Sequence, residues 1–132
     1  MENMATSPNM SIQFLAVGGG AAIGAWLRWG LGVLLNTSIL PMGTLVANFV
    51  GGLLMGMALA YFMQSTSDNA WRLFAITGFL GGLTTFSAFS AEAFHFLHRQ
   101  QYAWATLHIS SHVIGSLIMT AIGFAIVDGL KG

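Results

Sequence analysis

Residues 72–97 read RLFAITGFLGGLTTFSAFSAEAFHFL, a stretch long and apolar enough to cross a lipid bilayer as a helix. Crossing the hydrocarbon core takes about 20 apolar residues in helical form. In the centre of this stretch Gly81 and Gly82 stand side by side, and Thr84 and Thr85 follow them closely. Glycine loses the most backbone entropy in a helix, and the β-branch of threonine is hindered there, so both residue types weaken a helix. The stretch therefore predicts a transmembrane helix that is interrupted near its middle.

An interruption in the middle of the membrane has a chemical consequence. Non-helical backbone survives at that depth only where protein or a water-filled cavity covers it. The break would free carbonyl oxygens, and transporters use unwound carbonyls of this kind to hold cations. The alternative is a continuous helix whose glycines form a plain packing surface against a neighbouring helix, as small residues do in membranes.

The rest of the chain resembles this stretch in its apolar character. Four spans are predicted over residues 12–35, 43–63, 73–97 and 103–127, joined by short polar segments. The segments are too long and too uniformly apolar for the strands of a membrane barrel. Aromatic residues that prefer the membrane interface stand near the span ends: Trp26, Trp29, Tyr61, Trp71, Tyr102 and Trp104. We expect residues 1–132 to form a single all-α transmembrane domain of four helices.

Composition excludes several classes of function. Of the 132 residues, 55% are hydrophobic and 6% are charged, whereas a soluble domain carries about 25% charged residues. Four Lys/Arg balance four Asp/Glu, so no basic patch is available for nucleic acid. The chain contains no cysteine, which excludes disulfides and thiolate metal sites.

The positive charges predict no preferred orientation in the membrane. Arg72 and Lys131 fall on the side of the N-terminus, and Arg28 and Arg99 fall on the other side. An excess of Lys/Arg normally marks the cytoplasmic side, so a balanced chain should insert both ways. Two oppositely inserted copies can pair about a two-fold axis in the membrane plane. Mid-membrane carbonyls of both copies would then surround one point, as a sodium ion requires. Alternatively, Arg28 is buried and does not count, which leaves a weak bias.

Polar residues inside the other spans are costly in lipid and point to packing or to an ion path. Asn48 in the second span either binds neighbouring helices together or lines a conduction path. Glycines spaced four apart predict close helix packing in two spans: Gly20 and Gly24, and Gly52 and Gly56.

The fourth span carries a polar stripe with one residue every four positions, which places them on one helix face: His108, His112, Ser116 and Thr120. We interpret the stripe as the wall of a polar vestibule. His108 and His112 could instead bind a metal ion, although the sequence suggests no third ligand.

Two phenylalanines stand beside the predicted break, next to small hydroxyl residues such as Ser87. An aromatic ring has a negative face and a positive edge, so the edges of Phe86 and Phe89 can favour a small anion. Ordinary core packing is the alternative.

Long motifs in the second and third spans resemble those of the CrcB/Fluc family of fluoride channels. They are PMGTLVANFVGG at residues 41–52 and ITGFLGGLTTFSAFSAE at residues 76–92. The segments GAWLRW at 24–29 and GSLIMT at 115–120 fit the same family, so the resemblance extends from about Val17 to Val127. It implies a dual-topology, antiparallel homodimer in the bacterial plasma membrane, with two fluoride pores and a central structural sodium ion.

The resemblance also implies roles for individual residues. The backbone carbonyls of Gly81 and Thr84 would bind sodium, and Asn48 would donate to the anion. The remaining pore residues that it implies are Phe86, Ser87, Phe89, His112, Ser116 and Thr120. Arg28, Thr85 and Glu92 match family positions, and the role of Glu92 stays open. Family members usually read TTFSTFS where this chain reads TTFSAFS, so Ala88 removes one hydroxyl group from the pore region.

The function implied is passive fluoride flow through a pore that replaces hydration water with close donors. Small multidrug exporters also have four helices, but they need a carboxylate deep in the first span, and residues 12–35 contain none. A coupled fluoride/proton exporter is disfavoured on similar grounds, and a non-conducting membrane subunit is the third alternative. No convincing pair of nucleophile and base is present, so an enzyme is not expected.

Overall fold

The computed structural model describes residues 8–37, 39–63 and 69–131, and its regular elements in these ranges are helices. Helix α1 (Pro8–Leu35) and helix α2 (Met42–Met63) form the first two spans. The third span consists of helix α3 (residues 69–83) and helix α4 (Phe86–His98), and helix α5 (Tyr102–Lys131) forms the fourth. All four spans are long and apolar enough to cross a membrane, which confirms the prediction of four apolar helices. They extend by up to four residues beyond the predicted spans, because hydrogen bonding and not hydropathy sets helix ends.

The third span is interrupted about halfway along its length, as predicted. Thr84 (φ −82°, ψ 155°) and Thr85 (φ −149°, ψ 120°) have extended backbone conformations. The Thr85 hydroxyl oxygen then accepts a hydrogen bond from the Ala88 amide at 3.0 Å, so that Thr85 caps the start of α4. Helix α3 therefore ends just before the two threonines, and α4 begins just after them.

Two widened helical turns were not predicted. Residues Leu73–Leu80 in α3 and Ser111–Gly115 in α5 are π-helical. Turns of this type are rare and occur often at functional sites. The second one lies within the polar stripe of the fourth span. A Cβ atom added at Gly115 would overlap Phe49 Cζ and lie 2.6 Å from Phe49 Cε1, so this glycine makes room for the aromatic side chain of α2.

Glycines bring the spans into backbone contact in two pairs. Between α1 and α3, a Cβ atom at Gly20 would lie 2.7 Å from Phe79 N, and one at Gly24 would lie 2.6 Å from Leu83 N. Between α2 and α5, the corresponding distances are 2.9 Å from Gly52 to Ser116 O and 2.7 Å from Gly56 to Phe124 N. No side chain fits at such distances, which confirms the predicted packing role of these four glycines.

Three positively charged side chains contact backbone carbonyls. Arg28 is half-buried, and its Nε donates to Gly82 O at 3.2 Å, beside the break in the third span. Arg72 Nη2 donates to Phe62 O at 3.0 Å, and Lys131 Nζ donates to Ala60 O at 2.7 Å, where both cations complement the C-terminal end of α2. Because Arg28 lies within the span, the charge count becomes two against one, the weak bias that the sequence left as an alternative.

Large apolar side chains cover the outside of the chain. Phe14, Leu34, Phe86 and Leu117 are between 68% and 80% exposed. The most deeply buried cluster is small and consists of Ala47, Leu80 and Leu83. Such an exterior suits lipid, or a second membrane-embedded chain.

Candidate functional site

Asn48 holds the interrupted third span in place. Its Oδ1 accepts a hydrogen bond from Thr85 N at 2.8 Å, and its Nδ2 donates to Thr85 O at 3.1 Å. The side-chain amide thus pairs with both backbone groups of one extended residue. Because α2 is continuous at this point, Asn48 is presented from a rigid element, and it satisfies backbone groups that lipid could not satisfy.

The break frees the two carbonyl oxygens for which a sodium role is implied. In a continuous helix, the amide of residue 85 would donate to Gly81 O and that of residue 88 to Thr84 O. Here Thr85 N donates to Asn48 Oδ1, and Ala88 N donates to the Thr85 hydroxyl oxygen. Gly81 is also exposed on the surface of the chain. Free carbonyl oxygens are ligands that hard cations prefer, so the residues present fit a sodium ion.

An open groove of about 450 Å³ runs along the break between the second, third and fourth spans. It collects most of the site residues predicted from the sequence: Asn48, Thr84, Thr85, Phe86, Phe89, His112, Ser116 and Thr120. Ser87 lies at its edge, exposed, with its hydroxyl oxygen 3.2 Å from that of Thr85. Gly81, Arg28 and Glu92 do not line the groove.

The two phenylalanines of the groove have different environments. Their ring centroids are 5.5 Å apart and the rings are tilted by 60°. Phe86 is 77% exposed, whereas Phe89 is 8% exposed. The Phe89 ring packs against His108 at 5.5 Å and His112 at 4.8 Å between centroids. Phe89 therefore packs inside the chain against two histidines, and Phe86 forms part of the outer surface.

A line of polar contacts leads from the groove toward one membrane surface. His112 Nδ1 lies 2.9 Å from Asn48 Nδ2, and the His112 and His108 rings lie 4.5 Å apart. His108 Nε2 is 3.4 Å from Glu92 Oε1, and the Thr44 hydroxyl donates to Glu92 Oε2 at 2.7 Å. Glu92 also lines a second cavity, of about 410 Å³, together with His95 and Arg99 near the end of α4. The line thus joins two cavities through an otherwise apolar interior.

Sequence analysis missed one member of this line and the neighbours of another. It did not single out Thr44, although Thr44 and Asn48 are four residues apart on one face of α2, a spacing that could have indicated a shared role. It also found no third ligand for a metal at His108 and His112. The structure supplies one, because Glu92 faces them from α4 and the ligand-capable atoms of the three residues lie within 4.8 Å of one another.

Comparisons with known proteins relate the chain to one family. A family profile described as "CrcB-like protein, Camphor Resistance (CrcB)" matches residues 15–124. The chain is 52% identical over 132 residues to a protein of Aromatoleum aromaticum named "Fluoride-specific ion channel FluC", covering 98% of this chain and 100% of the relative. Relatives with the same name are 56% identical over 113 residues in Cupriavidus pinatubonensis (83% and 90% covered) and 54% identical over 121 residues in Pseudomonas putida (89% and 95% covered).

Proposed function

The chain belongs to the CrcB family, and on this basis we propose that it is a fluoride-selective channel of the bacterial plasma membrane. Fluoride would leave the cell passively, down its electrochemical gradient, and the protein is not an enzyme. The observation that carries the proposal is the polar line from Glu92 to Asn48, which connects two cavities through an apolar interior and ends beside Phe86 and Phe89.

Fluoride is small and strongly hydrated, so the pore must replace its water with close partners. The ring edges of Phe86 and Phe89 and the hydroxyl groups of Ser87 and Ser116 would share this task. Thr120 lines the same groove, and its hydroxyl donates to Ser116 O at 2.9 Å. Asn48 and His112 stand where the groove meets the polar line. A narrow path lined in this way would exclude the larger chloride ion, because channel selectivity depends on pore size and lining groups.

The working form would be an antiparallel homodimer of oppositely inserted copies. The exposed Phe86 ring, the open side of the groove and the free carbonyl of Gly81 all lie about halfway along the third span, where an axis in the membrane plane would pass. Two copies would bring the carbonyls of Gly81 and Thr84 together as four oxygen ligands for a structural sodium ion. The charge count of two against one is a weak bias, which leaves both orientations accessible.

A coupled fluoride/proton exporter is the second candidate, because Glu92, His108 and His112 form a line of titratable groups that a proton relay could use. A multidrug-type exporter is disfavoured, since α1 carries no acidic side chain. A non-conducting subunit is disfavoured, because such a role would not account for a line of polar side chains through an apolar interior.

We expect purified protein in liposomes to release fluoride but not chloride. Liposomes loaded with both potassium salts are diluted into a medium free of both anions, and a potassium ionophore shunts the voltage while ion-selective electrodes record efflux. Liposomes without protein are the control. A channel should release fluoride without any proton gradient. A coupled exporter, by contrast, should stop releasing fluoride when no proton ionophore is present, because the protons that it exchanges change the internal pH. Absence of fluoride efflux would contradict the proposed function. In these experiments sodium is present on both sides, and its replacement by a large organic cation should reduce the efflux.

We also expect both orientations to coexist. Gln101→Cys introduces a single thiol into a chain without cysteine, in the exposed turn between α4 and α5. A membrane-impermeant maleimide added to intact cells should label about half of the protein, because a chain with so weak a charge bias inserts both ways. Permeabilised cells, in which labelling should be complete, are the control. Full or negligible labelling of intact cells would disprove dual insertion.

A further inference from the structure

Three side chains of the polar line, Glu92, His108 and His112, turn unpaired atoms toward one another inside the chain. Glu92 Oε1, His108 Nε2 and His112 Nε2 are buried and have no hydrogen-bond partner in the part of the chain that the structure describes. The ligand-capable atoms of the three residues lie within 4.8 Å of one another. Nearly all buried polar atoms in native proteins have a partner, so three unpaired atoms around one point indicate a species that binds between them.

The packing of two helices holds the three side chains in this arrangement. His112 is 4% exposed, and the side chains of His108 and Glu92 are 9% and 20% exposed. Glu92 comes from α4, and both histidines come from α5, where the widened turn Ser111–Gly115 includes His112. The Phe89 ring packs against both imidazoles, at 5.5 Å and 4.8 Å between centroids. The cluster is therefore a built part of the interior and not a chance meeting of surface groups.

The separation of His108 and Glu92 is that of two ligands of one metal ion. His108 Nε2 and Glu92 Oε1 are 3.4 Å apart, whereas a charge-assisted hydrogen bond has a length of about 2.7–2.9 Å. Zinc binds imidazole nitrogen and carboxylate oxygen at about 2.0–2.2 Å, so two ligands at a tetrahedral angle are about 3.4 Å apart. Two histidines and one glutamate are a ligand set that zinc uses in proteins. Calcium and magnesium prefer oxygen ligands, which this cluster does not supply in sufficient number.

We propose that Glu92, His108 and His112 form a binding site for a divalent transition-metal ion, zinc being the ion that they fit best, and that the bound ion blocks the polar line. Glu92 also lines the cavity of about 410 Å³ near the end of α4, which gives the ion a route to the site and a water molecule as fourth ligand. Metal binding does not depend on the proposed function. The effect of the metal on fluoride rests on it, since an ion at this point would lie between the cavity and the groove.

Asn48 limits how tightly the site can bind. Its Oδ1 faces Thr85 N, so its Nδ2 is the group that lies 2.9 Å from His112 Nδ1 and can only donate. His112 Nδ1 must then accept, and the imidazole proton is on Nε2 in the metal-free protein. A metal ion needs the lone pair of Nε2. Its binding therefore moves the proton to Nδ1 and breaks the contact with Asn48, so that the amide competes with the metal for His112.

Titration of the purified protein, without a histidine tag, with cobalt(II) tests the site directly. Co²⁺ replaces zinc in tetrahedral sites and then absorbs strongly in the visible range, unlike the hydrated ion. We expect one such ion per chain, and its absorption should disappear when zinc is added. His108→Gln removes one ligand and should weaken binding by more than about a hundredfold, since even changes beside a metal ligand cost tenfold to a hundredfold.

His98→Gln, at the exposed end of α4, is the matched control and should bind cobalt as the parent protein does. Absence of the tetrahedral cobalt spectrum from the parent protein, or equal affinity in the parent and in His108→Gln, would overturn the proposal.

Asn48→Asp should tighten metal binding, a gain that a misfolded protein could not produce. A carboxylate accepts the proton on His112 Nδ1, and metal-binding histidines commonly donate their second N–H to such a group. The other carboxylate oxygen remains free to accept from Thr85 N. We expect the cobalt affinity to rise by about tenfold to a hundredfold. Unchanged or weaker binding by a folded Asn48→Asp protein would show that His112 Nε2 is not a ligand.

Fluoride efflux from liposomes tests the block. Zinc on both sides, at a concentration that fully displaces cobalt from the site, should reduce the efflux of the parent protein at least about tenfold, and a chelator should restore it. The efflux of His108→Gln, relative to its own value without zinc, should not respond, while His98→Gln should be inhibited like the parent. Metal binding with unchanged efflux would refute the block. Absence of fluoride efflux from the metal-free parent would instead refute the proposed function and leave the metal site intact.

Discussion

Replacing both Phe86 and Phe89 with isoleucine is expected to abolish fluoride flux while the protein stays folded. Isoleucine keeps apolar bulk but lacks the positive edge of an aromatic ring. Phe86 is 77% exposed, so its replacement costs little packing within one chain, while Phe89 is 8% exposed and packs on two histidines. A contact with a ring edge comparable to that between two aromatic rings is worth about 1.5 kcal/mol, so the loss of two such contacts corresponds to roughly a hundredfold loss of flux. Fluoride efflux from liposomes measures the effect.

Phe94→Ile is the matched control, because Phe94 is on the same helix and 67% exposed but does not line the groove. It should conduct normally. The single variants Phe86→Ile and Phe89→Ile separate the outer ring from the buried one. Size-exclusion chromatography must show that each variant keeps the assembly of the parent protein. Normal flux in the folded double variant would mean that the rings serve packing alone, the alternative that the sequence left open.

Gly24→Ala is expected to destabilise the protein strongly, although alanine is normally the better residue in a helix. The added methyl group would lie 2.6 Å from Leu83 N and would overlap Phe79 O, both of them backbone atoms of α3 that cannot turn aside. The helices must therefore separate at the point where α3 ends. Overpacking of this kind costs about 1–3 kcal/mol, which corresponds to a drop in the melting temperature on the order of 10 °C.

Gly18→Ala makes the same chemical change in the same helix, at a position where nothing lies within 4 Å of the added Cβ atom. Here the gain in helix propensity, about 1 kcal/mol, is unopposed within the chain, so the melting temperature should stay constant or rise. Thermal unfolding of the purified variants in detergent, followed by loss of the chromatographic peak, gives both values. Equal shifts for the two variants would refute the close contact between α1 and α3.

Much of the fold could be predicted because it depends on local properties of the chain. Apolar stretches of membrane length predict the four spans, and the adjacent Gly81 and Gly82 with Thr84 and Thr85 predict the break, since both effects arise within a few residues. The glycines that pack the helices were found from their spacing of four residues. The widened turns at Leu73–Leu80 and Ser111–Gly115 were not found, because no residue type marks them.

The candidate site was predicted as a set of residues and not as a set of contacts. Phe86, Phe89, Ser116 and Thr120 were expected near one another, and the groove brings them together. The pairing of Asn48 with Thr85, across 37 positions, left no signal in the sequence, and neither did the approach of Glu92 to His108. Such contacts depend on how whole helices are placed.

The sequence by itself determined that this chain is a membrane protein with four spans and that its third span is interrupted. These features could be predicted because hydropathy and helix propensity depend on residues that are close together in the chain. Only the tertiary structure decided which groups satisfy the interrupted backbone. That result depends on the packing of α2 and α5 around Thr85, where the side-chain amide of Asn48 pairs with both backbone groups of Thr85 and also contacts His112.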